Sequence, residues 1–250
     1  MAQILAIHAH PDDVEILAGG TLALLADAGH RITIVTCTPG DCGSCDCGPE
    51  EIAAVRRREA AAAAALIGAA YLCLEMRDLA IFNDDSSRRR VTEVIRRTNP
   101  QLVLAASPND YLCDHEAASI LVRDSCFAAP LPNYQTGSAP IGAIPHLYFM
   151  DPIDGRDRDG APIRPDFVVN VEAAFERKRR MLEQHASQRE WLRHHHHVDE
   201  YLLEMERWTR ERGALAGVAY GEGFRRYGGH PYPKTPLLEE WLSGAAIAAR

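Results

Sequence analysis

Short apolar runs alternate with helical patterns along the first 171 residues of this 250-residue chain. Repeated strand, helix, strand order favours a mostly parallel sheet with helices on both faces. It therefore predicts an α/β fold, a Rossmann-like doubly wound sheet. The predicted strands are Ile4 to His8, Arg31 to Cys37, Tyr71 to Leu74, Leu102 to Ala105, His146 to Met150 and Phe167 to Val171. The predicted helices are Ile16 to Ala28, Glu50 to Ile67, Asp85 to Thr98 and His115 to Phe127.

The pattern changes from about Glu172 onward. Two charged helical patterns, Glu172 to His185 and Gln188 to Arg212, precede a late strand over Tyr220 to Tyr227. An irregular stretch rich in proline and glycine follows. Since no linker is long or polar enough to separate two domains, we expect one domain over 1–250. Its core covers about 1–171, and about 172–250 form an extension of the same domain.

Charge and cysteine content exclude several classes of protein. The formal net charge of −8 argues against a nucleic-acid-binding protein, which usually presents a basic face. No apolar run approaches the eighteen or more residues of a membrane span. The seven cysteines, an odd number, fit a reducing compartment better than a disulfide framework. Together with a first strand that leaves no room for a signal peptide, this predicts a cytoplasmic protein.

The motif His10-Pro11-Asp12-Asp13 directly follows the first predicted strand. Neutral imidazole and ionised carboxylate are ligands of catalytic zinc. In a tight turn opened by Pro11, His10 and Asp13 can face one ion while Asp12 points elsewhere and serves as a base. The alternative is an ordinary turn in which an aspartate caps the following helix.

A second polar segment, Pro108 to Glu116, follows the strand Leu102 to Ala105. A close pair of ligands plus one distant ligand is a common catalytic-zinc spacing, and His115 would complete it. Asp114 could hydrogen-bond a ligand from the second shell. Three ligands and a spare carboxylate favour hydrolysis, since noncatalytic zinc sites usually have four protein ligands, often cysteine.

These segments resemble the PIG-L/LmbE-like zinc-dependent N-deacetylases, which act on N-acetylglucosamine-type substrates. The specific part of the resemblance is Ala9-His10-Pro11-Asp12-Asp13-Val14-Glu15 with Gly19-Gly20-Thr21, and Asp114-His115. Weaker similarity covers Val55 to Glu59, Leu66 to Gly68, and Lys178 with His185 to Gln188.

The resemblance implies that His10, Asp13 and His115 bind zinc and that Asp12 is the general base. It also implies a small N-acetylated substrate and an LmbE-like fold, and relatives often form homo-oligomers. Fe²⁺ or Co²⁺ would suit the same ligands. A non-sugar amide as substrate, or a noncatalytic zinc- or sugar-binding protein, stays open as an alternative. A nucleotide-binding protein is disfavoured, because the glycine-rich phosphate loop is missing after the first strand.

One position departs from the family pattern. Many members have a histidine three residues before the distal ligand, and Leu112 occupies that position here. The general acid is therefore open among Asp110, Tyr111, Asp114 and a protonated Asp12.

Four other features have both a functional and a structural interpretation. Arg56 either binds substrate or forms a surface ion pair, and His8 lies either in the second shell or in the core. The cysteine loop with Cys42, Cys45 and Cys47 either binds a metal, forms a redox pair or shapes the pocket. The run His194 to His197 is not expected to bind one ion, because a helix spreads consecutive side chains around its axis.

Overall fold

The computed structural model describes residues 1–189 and 200–249. Within these ranges, eight strands form one mixed sheet in the order β3-β2-β1-β4-β5-β7-β6-β8. The strands are β1 Gln3–His8, β2 Arg31–Thr36, β3 Ala70–Cys73, β4 Leu102–Ala105, β5 His146–Met150, β6 Phe167–Asn170, β7 Gly221–Arg226 and β8 Ala246–Ala248. The helices are α1 Asp13–Asp27, α2 Pro49–Ala65, α3 Asp85–Thr98, α4 Cys113–Ala128, α5 Phe175–Glu183, α6 Glu200–Ala214 and α7 Leu237–Trp241. The run His194 to His197 lies outside the described residues.

The packing of strand β1 on both faces explains why the first apolar run does not alternate with polar residues. Ile4 and Ala6 pack into one apolar layer with α1, α2 and α5, whereas Leu5 and Ile7 pack into another with α3 and α4. Both faces of the strand are therefore buried, as in parallel sheets covered on each side. The predicted α/β sheet with helices on both faces is confirmed.

The two halves of the sheet differ in strand direction. Strands β3, β2, β1, β4 and β5 pair in parallel. Strand β7 pairs antiparallel with β5 and β6, and β6 pairs antiparallel with β8. The late strand predicted over Tyr220 to Tyr227 therefore lies inside the sheet, between two strands of the predicted core. The short elements α7 and β8 were not predicted from the sequence.

A buried ion pair fixes helix α1 to the rest of the domain. Lys178 on α5 and Glu222 on β7 are each 1% exposed at the side chain, and Nζ lies 2.6 Å from Oε1. Lys178 also donates to the carbonyl oxygen of Ile16 (2.6 Å), while Glu222 accepts from the backbone N–H groups of Gly20 (2.9 Å) and Thr21 (2.7 Å). A Cβ on Gly20 would lie 2.7 Å from Val171, so this close approach requires glycine.

Candidate active site

The candidate ligands lie at the carboxyl ends of β1 and β4. These strands are neighbours, and the chain leaves β1 toward β2 on one side and reaches β4 on the other. Open α/β sheets bind ligands at such a topological switch point. The loop after β1 carries His10, Asp12 and Asp13, and the loop after β4 leads into His115 on α4.

Two imidazole nitrogens converge on one carboxylate. Nδ1 of His10 lies 3.3 Å from Oδ2 of Asp13, and Nε2 of His115 lies 3.4 Å from Oδ1. The opposite nitrogens contact carboxylates as well: His10 Nε2 lies 3.2 Å from Asp114, and His115 Nδ1 lies 3.0 Å from Asp110. An ionised carboxylate only accepts hydrogen bonds, so the outer nitrogens donate to Asp114 and Asp110. The inner nitrogens would then be free to bind a cation held between the two histidines and Asp13. Metal-bound histidines are typically oriented in this way.

The electrostatics of the cluster favour a positive charge between these groups. Burial lowers the pKa of His10, but Asp114 and Asp13 outweigh it and raise the pKa to about 9. Burial likewise opposes protonation of His115, yet Asp13 and Asp110 raise its pKa to about 10. Burial raises the pKa of Asp13, but the neighbouring histidines His8 and His115 hold it well below its usual range. The donor set therefore fits a divalent transition-metal ion, which supplies positive charge without protonating the imidazoles.

His8 is a third imidazole beside Asp13. It is fully buried, and its Nδ1 lies 2.6 Å from Oδ2 of Asp13. Ligand atoms of His8, Asp13 and His115 all lie within 4.8 Å of one another. Among the described residues, Nε2 of His8 has no hydrogen-bond partner. His8 therefore contacts the polar cluster rather than the apolar core. The set of ligand atoms this close together contains His8 and not the predicted ligand His10.

Asp12 has a backbone conformation that sets it apart from a helix cap. Its φ of 97° lies in the left-handed region, and its side chain makes no cap hydrogen bond to α1. Instead, the hydroxyl of Tyr201 donates to Oδ2 of Asp12 at 2.6 Å. Burial raises the pKa of Asp12, although Arg56 opposes this. The alternative of an ordinary capped turn is therefore not supported, since strained residues of this kind cluster at functional sites.

Arg56 lies inside the molecule rather than in a surface ion pair. It is 4% exposed, and its NH2 donates to the carbonyl oxygen of Pro11 at 2.7 Å. The same nitrogen lies 3.6 Å from Oδ1 of Asp12, beyond hydrogen-bond distance. Arg56 therefore supports the turn that carries Asp12 and forms a buried ion pair with Oδ1 without a hydrogen bond to it.

A cavity of about 660 Å³ opens over this cluster. Its floor contains the buried residues Asp12, Asp13, Arg56 and His115 together with the half-buried His10. The loops after β2, β3, β4 and β5 and helix α6 complete the wall with Cys42, Gly43, Asp78, Leu79, Tyr111, Leu112, Ile153, Tyr201, Glu204 and Trp208. Such a volume is typical of a small-molecule site. Sequence reasoning missed Asp78, Leu79, Tyr201 and Trp208, which lack a motif and meet the site only through the fold.

The hydrogen bonds narrow the choice of a general acid. Asp110 and Asp114 accept from the two histidines, and Asp114 also accepts from the backbone N–H of Leu79 at 2.7 Å. Both carboxylates are thereby engaged in positioning. Tyr111 lines the cavity and contacts the His115 ring edge to face at 5.5 Å.

The cysteine loop borders the cavity through Cys42 and Gly43. The backbone N–H of Cys42 donates to Asp78 at 2.9 Å, and Gln188 donates to the carbonyl oxygen of Gly43 at 2.9 Å. None of the seven cysteines forms a disulfide in the described part of the chain. Ligand atoms of Asp41, Cys42 and Asp78 lie within 4.8 Å of one another, so the loop borders the pocket and its metal-binding interpretation stays a prediction.

Comparisons with known proteins give a consistent result. Residues 5–126 match the family model described as PIG-L: GlcNAc-PI de-N-acetylase. The diacetylchitobiose deacetylase of Thermococcus kodakarensis is 27% identical over 240 residues, covering 89% of this chain and 82% of that protein. The 4-oxalmesaconate hydratase of Pseudomonas putida is 27% identical over 182 residues, covering 70% of this chain and 69% of that protein.

Solved structures share the fold along nearly the whole chain. The N,N'-diacetylchitobiose deacetylase of Pyrococcus horikoshii superposes with a TM-score of 0.77 at 27% identity, covering 94% of this chain and 88% of that chain. In the described part of this protein, no helix is long and apolar enough to cross a bilayer.

Proposed function

We propose that this chain, which carries a PIG-L family domain over residues 5–126, is a zinc-dependent hydrolase that removes the acetyl group from N-acetylglucosamine-type sugars or their conjugates. One observation carries the proposal. Two imidazole nitrogens converge on Asp13, while a second buried carboxylate, Asp12, stands beside them without a helix-capping role. The similarity to deacetylases named for an acetylated disaccharide supports the choice of substrate.

His10, Asp13 and His115 would hold the ion, and Asp114 and Asp110 would orient the two histidines. Fe²⁺ or Co²⁺ would suit the same donors. When bound, the ion supplies a Lewis acid that polarises the amide carbonyl and makes water acidic near neutral pH. His8, whose Nδ1 donates to Asp13, fixes the orientation of that carboxylate.

Asp12 moves the proton. Tyr201 occupies Oδ2, so Oδ1 is the atom that takes a proton from the attacking water. Leu112 offers no proton and Asp110 and Asp114 are engaged with histidines, which leaves Asp12 and Tyr111 as candidate acids. Burial raises the pKa of the Tyr111 hydroxyl, which makes it a weak acid, so we assign the return of the proton to the amine nitrogen to the same oxygen of Asp12. The products are acetate and a free amino sugar.

A hydratase is the second candidate, because one relative carries that activity. The charges of the cavity favour deacetylation. Its lining includes the carboxylates of Asp12, Asp13, Asp78 and Glu204 but, among the described residues, only one arginine, Arg56. Away from the imidazoles and the ion they would hold, a substrate with several carboxylates would meet repulsion from Asp78 and Glu204, whereas a neutral acetamido sugar would not.

The first experiment is acetate release by zinc-loaded protein from a panel of N-acetylated sugars and conjugates. Release that is lost in Asp13→Ala together with bound zinc would support metal-dependent deacetylation. Asp12→Asn should retain zinc and lose turnover by about 10²–10⁴-fold, the usual contribution of a general base. Asp27→Asn, at the exposed end of the same helix, is the matched control.

Absorbance loss with an unsaturated polycarboxylate, without acetate release from any sugar, would favour the hydratase instead. Full turnover by Asp12→Asn would contradict the assignment of the base. An odd number of cysteines, seven, suits a reducing compartment, and we propose that the enzyme works in the cytoplasm.

A further inference from the structure

A leucine at position 79 is unexpected, because leucine is disfavoured by the backbone conformation there and its side chain is not buried. It is the third residue of a turn closed by a hydrogen bond from Ala80 N–H to the Arg77 carbonyl oxygen, and its φ is 60°. Glycine or asparagine usually fills that position, because a left-handed backbone strains other side chains. The Leu79 side chain is also 64% exposed.

The backbone of Leu79 does have a clear role. Its N–H donates to Asp114 at 2.7 Å, and Asp114 in turn accepts from His10. Glycine or asparagine would supply the same N–H without the strain. The leucine side chain therefore carries two costs, strain and exposure, and the folded protein alone relieves neither.

The residues around Leu79 indicate what could cover its exposed side chain. Leu79 lines the candidate cavity, as do Tyr111, Leu112, Ile153 and Trp208. We call these five residues the apolar collar. Leu79 and Tyr111, which is 59% exposed, mark the mouth, whereas the polar cluster lies on the buried floor.

We propose that the apolar collar is a subsite for an apolar or aromatic group attached to the acetamido sugar, so that the substrate is an N-acetylated sugar conjugate rather than a free sugar. This inference rests on the proposed function. With the acetamide at the floor, the part of the substrate beyond the first ring reaches the mouth. The cavity of about 660 Å³ is larger than one sugar ring requires.

The charges near the mouth of the cavity limit which groups the sugar of the substrate can carry. Glu204 is the acidic residue that α6 contributes to the cavity, and the collar itself carries no charge. A phosphate-linked carrier such as a nucleotide would be repelled by Glu204. The two arginines beside Tyr111 and Ile153 are already paired with carboxylates, Arg158 with Glu116 and Arg156 with Asp154. An uncharged apolar group suits this surface, since its burial with Leu79 removes exposed apolar area from water.

The test compares phenyl and methyl N-acetyl-β-glucosaminides by calorimetric titration of the zinc-loaded protein. We expect the phenyl compound to bind about tenfold more tightly, as burial of a leucine-sized apolar contact implies. Leu79→Asn should bring the ratio of the two affinities close to one. Its melting temperature should equal or exceed that of the wild type, because asparagine suits the turn.

Leu203→Asn is the matched control, since Leu203 is a second exposed leucine (58%) that does not line the cavity. It should retain the tenfold ratio. Equal binding of both glycosides by the wild type, no binding of either, or a ratio that Leu79→Asn leaves unchanged would overturn the proposal. Acetate release, measured in the same samples, tests the proposed function separately: a phenyl preference that depends on Leu79 without acetate release would leave the subsite standing and refute deacetylation.

Discussion

Replacement of Lys178 by methionine should strongly destabilise the protein. The ammonium group pairs with Glu222 where both side chains are 1% exposed. Removing one partner of a buried pair leaves an uncompensated charge and costs about 3–5 kcal/mol. Because each kcal/mol shifts the melting temperature of a domain of this size by about 2–4 °C, we expect a drop of about 6–20 °C.

The assay is thermal unfolding at pH 7, followed by circular dichroism. Arg177→Met is the control, because Arg177 is the preceding residue of α5 and pairs with Asp27 at the surface. An exposed pair of this kind contributes at most about 1 kcal/mol. The double variant Lys178→Met/Glu222→Gln should be less destabilised than the sum of the two single variants, since it removes both charges.

Strict additivity of the two single variants, or a loss below about 3 °C in Lys178→Met, would refute this reasoning. A loss of zinc affinity should accompany the loss of stability, because the pair holds helix α1, whose first residue is Asp13.

Three further predictions concern single side chains. Tyr201→Phe should lower kcat by about 10- to 100-fold with little change in KM, since Asp12 loses a charge-assisted hydrogen bond of about 1.5–3 kcal/mol; a KM change alone in steady-state kinetics would contradict this. Asp110→Asn should weaken zinc binding by about 10- to 100-fold in a competition titration with a chelator, because His115 loses its orienting carboxylate, and unchanged affinity would disprove that role. Burial raises the folded-state pKa of Asp151 to about 6, although Arg212 and Arg225 oppose it, so its stabilising contribution is complete below pH 4 and is lost as the pH rises through 6. In urea unfolding, Asp151→Asn should therefore gain about 2 kcal/mol on the wild type between pH 4 and 7, and a constant difference would contradict this.

Much of the fold could be predicted because its signals are local. Strands β4 and β5 and helix α3 begin and end where the apolar runs and the caps indicate, for example at Asp84, whose side chain accepts from Ser87 N–H. The antiparallel half could not be predicted, since β7 gives no sign in its sequence of which strands it joins. Pairing partners are set by tertiary packing, which a single sequence does not report.

The candidate site likewise contains residues that the sequence predicts and residues that it does not. The sequence motifs identified His10, Asp12, Asp13 and His115, because ligand chemistry requires those residue types at that spacing. Tyr201 has no such signature. It reaches Asp12 across 189 positions of sequence, so only the folded chain reveals it.

The insertion of β7 between β5 and β6 has a consequence for biosynthesis. Strand β6 finds its partners only in β7 and β8, so it stays unpaired until the chain is complete to about Arg226. Most of the polypeptide is therefore synthesised before the sheet is complete. During that time the nascent chain exposes the unpaired edge of β5. Unpaired edges of this kind promote association with other chains. Translation that stops short of β7 should yield an aggregation-prone fragment rather than a smaller enzyme.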